Sequence, residues 1–174
     1  MKAAVVLALG LAAAAAPLAA QEMPESYREV QLRALEAQRR LWLSMADSMP
    51  ENLYRDKATP AQRDFAAQVL HHANALGFLG RILRAGAAPA MDTAAAYNSR
   101  AGMRAAINAR YDWAANVLRN QTAQQRSSTV NLFGTPMPGW QVWDEMHQHA
   151  WWTAGQIVAN FRKNNMAPPS FFFY

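Results

Sequence analysis

Four segments of this chain repeat their apolar residues at three- and four-residue spacing, and none shows a sustained apolar-polar alternation rich in Val, Ile and Thr. That period lays a stripe along one side of a helix, and a striped helix must bury its stripe against other elements. The chain therefore reads as all-α. The first predicted helix covers about 26–49, with Leu32, Leu35, Trp42, Met45 and Met49 on one side and Pro50 stopping it. The second opens at Thr59-Pro60, an N-cap followed by proline in the first turn, carries Phe65, Val69, His72, Leu76, Leu79 and Leu83, and ends near the 86–89 loop. The third starts at Asp92-Thr93 and repeats Tyr97, Ile107, Tyr111, Ala115 and Leu118, with Gly102 weakening its middle. Residues 131–139, rich in Gly and Pro, read as a crossover loop. The fourth helix runs from Trp140 to about residue 165, aligns Val142, Met146, His149, Thr153, Ile157 and Asn160, and is closed by Pro168-Pro169. Four such helices satisfy one another as a four-helix bundle, in which sites are assembled from side chains on facing helices.

The ends and the charge narrow the class further. Residues 1–20 have the layout of a secretory signal peptide: Lys2, an Ala-rich apolar run, then Pro17-Leu18-Ala19-Ala20 with cleavage expected after Ala20. The run is short and interrupted by Pro17, which argues against a membrane anchor. The expectation is an exported chain, periplasmic or secreted, whose residues 21–174 form a single domain with no integral membrane span. Zero cysteines exclude disulfides, thiolate metal ligands and cysteine nucleophiles, so packing alone must hold the fold. The net charge of +5 is carried mainly by Arg scattered along the helical patterns without a cluster. Such residues read as solvated faces, and nucleic acid is not an expected partner. No serine triad, glycine-rich phosphate loop or paired catalytic carboxylates reach motif quality. The aromatic tail Phe171-Phe172-Phe173-Tyr174 is expected to pack over one end of the domain or to contact a partner, a homodimer among the arrangements left open.

All four histidines fall in two short clusters, His71-His72 and His147-x-His149, on helices expected to face each other. Residues two apart on a helix point about 200° apart and direct neighbours about 100° apart, so neither cluster chelates one ion by itself. A helix that does so places its donors at i and i+4. Four residues after His149 stands Thr153, whose neutral hydroxyl is a poorer ligand than imidazole for a borderline-soft cation. Gln156 lies seven residues after His149 on the same face, placed to orient a pocket group or simply to pack. Trp143, Trp151 and Trp152 flank this helix as core residues or as walls of an apolar pocket.

The segment Phe65-x5-His71-His72-Ala73-Asn74-Ala75, followed in order by His149-x3-Thr153-x-Gly155-Gln156, Phe161-Arg162 and Pro168-Pro169, resembles the DinB/YfiT-like family over nearly all of residues 21–174. In that family the second helix carries a histidine in a segment like Phe-x5-His-x-Ala-Asp-Ala, and the fourth reads His-x3-His-x-Gly-Gln. The resemblance implies a four-helix bundle in which three histidines hold a divalent metal with open positions. Carried over residue by residue, His71 and His149 match, Asn74 stands where Asp is frequent, and Thr153 replaces the third imidazole. His72 is the alternate ligand, because the apolar stripe of the second helix runs through it. The resulting expectation is a degenerate family member that keeps the bundle and a pocket of Asn74, Trp152, Thr153 and Gln156, and acts as a small-molecule binding or interaction protein. The alternative is a divalent-metal-dependent enzyme, of hydrolase or thiol-transferase type, in which His71 and His149 hold zinc or nickel and water completes the shell. Export weighs against the thiol version, whose cosubstrates are largely cytosolic.

Overall fold

The protein is described over residues 25–170 in a computed structural model. The expected signal peptide at 1–20 and the aromatic tail at 171–174 lie outside these residues. The described chain is mostly helical: α1 (Glu25–Ser48), α2 (Phe65–Ile82), α3 (Thr93–Asn98), α4 (Arg100–Asn120), α5 (Ala123–Ser127) and α6 (Gln141–Lys163), with a two-stranded ribbon of β1 (Thr129–Leu132) and β2 (Thr135–Pro138) before α6. The four long helices form a closed ring of contacts, α1 on α4, α4 on α2, α2 on α6 and α6 on α1. The stripes read from the sequence largely face inward: Trp42, Met49, Phe65, Leu76, Leu79, Ile107, Leu118, Val142 and Ile157 are buried, and so are Trp143 and Phe161 beside the last stripe. Among the described residues no helix is long and apolar enough to cross a membrane.

Local chemistry sets the ends of these helices, and three of them differ from expectation. The second helix does not begin at Thr59-Pro60, where the chain forms only a turn. It begins after Asp64, whose carboxylate accepts the Ala67 amide at 2.7 Å and so satisfies an end donor that no hydroxyl at position 59 could reach. The predicted third helix is broken in two. Ser99 is extended, with φ −153° and ψ 150°, and its hydroxyl caps α4 by accepting the Gly102 amide at 3.0 Å. Gly102 permits this break, because a Cβ there would lie 2.3 Å from the backbone carbon and oxygen of Ala95.

The predicted crossover loop at 131–139 is instead largely β-ribbon. β1 and β2 pair antiparallel with Leu132 opposite Thr135, leaving Phe133 and Gly134 as the two turn residues. Both have positive φ, 50° and 96°, as tight two-residue hairpin turns demand. Gly134 takes this without strain, and its amide donates to Asn131 Oδ1 at 2.7 Å. Pro136 and Pro138 sit opposite Asn131 and Thr129, the positions whose amides point away from the partner strand. The prolines that argued for a loop therefore cost the ribbon no ladder bond. Buried Leu132 and Met137 fasten it to the core.

Beyond its packing, α6 is tied at its C-terminal end to the segment before α2. Asn160 Nδ2 donates to the Asp56 carbonyl at 2.9 Å, while Lys163 and Asn164 both donate to the Asp56 carboxylate. These hydrogen bonds hold the Asp56 pKa below the usual carboxylate range. The contacts between α2 and α6 bring His71 and His149, one member of each histidine cluster, to one place.

Candidate functional site

On α2, residues 71, 74, 75, 78 and 82 recur at helical spacing and form one face. Opposite them α6 offers Met146 and His149, one turn apart, and the ribbon turn adds Phe133. Together these residues line a cavity of about 200 Å³, mostly apolar, with the two imidazoles and Asn74 as its polar members. Phe78 and Phe133 meet edge to face with centroids 6.3 Å apart, and Phe133 is 81% exposed. The volume admits a group about the size of one aromatic ring.

His71 and His149 approach through their Nε2 atoms, 3.3 Å apart, with ring centroids at 5.2 Å and planes 60° apart. Burial lowers both pKa values; the Arg63 charge adds to the effect at His71, and the charges of His71 and Arg63 add to it at His149. Both shifts favour the neutral ring, and the two Nε2 atoms share a hydrogen bond in which one ring donates and the other accepts.

That geometry suits a cation. Two nitrogens each about 2.0–2.1 Å from a tetrahedral ion are about 3.3–3.4 Å apart. Thr153 is buried and puts Oγ1 3.5 Å from His149 Nε2, so a neutral hydroxyl borders the place where a third donor would stand. Two features weaken the fit. Among the described residues no group of three or more His, Cys, Asp or Glu side chains is placed to hold an ion. His149 Nδ1 is also buried without a partner there, whereas a metal-ligating histidine nearly always donates its second nitrogen to an orienting group.

The other two histidines serve different surroundings. His72 is fully buried, hydrogen-bonds the Tyr111 hydroxyl through Nε2 at 2.7 Å, and stacks on Trp42 with centroids 4.4 Å apart and planes 10° apart. Its ring lies near that of His149, with centroids 5.9 Å apart and planes 23° apart, and its Nδ1 is buried without a partner among the described residues. Burial drives its pKa well below the ordinary value. His147 points between α1 and α6. Gln38 Nε2 donates to its Nδ1, its Nε2 donates to Gln31 Oε1, and Gln31 Nε2 donates to Asp144 at 2.7 Å, where Tyr27 also donates. These partners select the neutral Nε2–H tautomer. Burial lowers the His147 pKa to about 4 despite the opposing effect of Asp144.

The residues read as site members from the sequence thus divide. His71, Asn74 and His149 border the cavity, and Thr153 lies buried beside His149. Gln156 accepts from Gln68 at 2.8 Å and joins α6 to α2. Trp152 is 74% exposed and is not part of the cavity wall. The face carrying Phe78 and Ile82 follows from helical spacing once His71 is chosen. Phe133 had no sequence signal, because its place depends on the ribbon register. No family model matches the chain, and no curated protein is significantly similar to it.

Proposed function

We propose that this chain is an exported, DinB-like four-helix-bundle protein with a degenerate metal site, and that it binds a small molecule in the cavity closed by the His71–His149 pair. The observation that carries the reading is the convergence of the two Nε2 atoms at 3.3 Å beside an apolar cavity. A pocket of this kind binds through apolar contact and orients its ligand with a few polar groups. Here those groups are two neutral imidazoles and the Asn74 amide. Thr153 in place of a third imidazole, and the unpartnered His149 Nδ1, favour a binding protein over a resident metal.

The alternative reading, a divalent-metal-dependent hydrolase or thiol transferase, draws support from the same 3.3 Å separation. An ion held by His71 and His149 would supply Lewis acidity to a bound nucleophile. Metal analysis of the natively purified chain separates the two. The binding reading expects substoichiometric zinc and nickel, and a rise in affinity of orders of magnitude in Thr153→His, which adds an imidazole at i+4 from His149. One tightly held ion per wild-type chain would overturn the binding reading in favour of the enzyme.

A further inference from the structure

The loop that follows α2 closes a second, larger cavity, of about 600 Å³, bordered by Asn74, Gly77, Phe78, Arg81, Gly86 and Arg110 among others. Its wall holds two arginines and no carboxylate. Arg110, on α4, is only 7% exposed. Its Nη1 donates to the Pro89 carbonyl at 2.7 Å, and its Nε has no partner among the described residues. The guanidinium lies over Gly77, with Cζ 3.4 Å from the point a Cβ there would occupy. Arg81 is exposed and stands over the Phe78 ring at 5.5 Å. Ion pairs among the described residues engage Arg39, Arg55, Arg104 and Lys163 among others, and neither cavity arginine.

Burying a guanidinium without an acid is unfavourable, and a bound anion offsets the cost by restoring charge-assisted hydrogen bonds. Arginine suits oxyanions in particular, because its planar N–H groups match carboxylate and phosphate oxygens. Asn74 and Phe78 border this cavity and the histidine cavity alike. The spacing of His71, Asn74, Phe78 and Arg81 places all four along one stripe of α2, spanning about 15 Å. We propose that the Arg81–Arg110 cavity binds the anionic oxygen group, carboxylate or phosphate, of a small molecule whose apolar end enters the histidine cavity. The apolar half rests on the binding function proposed above, while the anionic half stands on the two arginines.

Calorimetric titration of the purified chain with phenylacetate, phenyl phosphate, inorganic phosphate and neutral benzyl alcohol tests this. At least one ring-bearing anion binds more tightly than benzyl alcohol, and the tighter anion identifies the headgroup. Arg110→Met removes that preference, a loss of about tenfold or more, and leaves benzyl alcohol unaffected. Arg81→Gln, at an exposed side chain, reduces the preference less and serves where the buried substitution disturbs folding, as judged by circular dichroism. Equal affinity for anions and benzyl alcohol, or a preference surviving both substitutions, overturns the proposal. If benzyl alcohol binds in a His149-dependent manner but the anions gain nothing, the anion site falls and the binding function stands. If inorganic phosphate binds through Arg110 while the ring adds nothing, the anion site stands and the apolar cavity loses its role.

Discussion

Replacing His147 by Gln should flatten the pH dependence of folding stability in a defined window. The folded-state pKa is about 4, against 6.5 for the solvated ring in the unfolded chain. Between those values the unfolded state binds a proton that the native state refuses, so the native state loses stability as pH falls from 6.5 toward 4 and no more below. One proton changes stability by about 1.4 kcal/mol per pH unit, and the interval is about 2.5 units, giving a loss of about 3 kcal/mol from this residue. Glutamine keeps a carbonyl to accept from Gln38 and an amide to donate to Gln31, the two bonds His147 now makes. Urea denaturation of wild type and His147→Gln from pH 4 to 7.5 reads the difference directly. The cavity pair titrates in both proteins and cancels, and His72 keeps the burial that is the largest cause of its shift in both. Stability curves that run parallel through the window would refute the assignment of His147 as a buried neutral base.

Two further outcomes concern the frame that holds the site. Gly102→Ala should destabilise the protein by about 1–3 kcal/mol, because the added methyl meets backbone atoms of Ala95 at 2.3 Å and the better helix propensity of Ala cannot compensate. A denaturation midpoint equal to wild type would show that α3 and α4 do not pack this closely. Asp64→Ala should cost about 1 kcal/mol through loss of the α2 cap, and Asp64→Asn, which can still accept from Ala67, should recover most of it. Equal effects of the two would assign the role to the carboxylate charge instead.

The helical class and most of the buried positions were readable because the 3.6 period is a property of each segment alone. Phe65, Val69, His72, Leu76, Leu79 and Leu83 were placed on one stripe of the second helix, and all six are buried. Where an element depended on how its backbone meets a neighbouring segment, and not on its own period, the reading failed. The α3–α4 break depends on how closely Ala95 approaches Gly102, and the ribbon on the pairing of Leu132 with Thr135. At the site, the family resemblance singled out His71, Asn74 and His149, and the expected facing of the second and last long helices placed them together. The same periodicity put His72 on the core stripe, where it hydrogen-bonds Tyr111. It could not reveal the Gln31–His147–Gln38 chain, in which His147 lies more than a hundred residues from either glutamine. Nor could it pair Arg110 with Arg81, since their cavity is closed by a loop with no periodic signal.

The ribbon makes the doorway of the histidine cavity a separable part. Its anchors, Leu132 and Met137, are sunk in the core, whereas Phe133 and Gly134 project at its tip, and only Phe133 reaches the opening. Exchanging the side chain at 133 would widen, narrow or recolour the entrance at the cost of one contact to the helical walls, the edge-to-face pair with Phe78. Under the proposed binding function, position 133 would tune selectivity at a point on which little of the remaining fold depends.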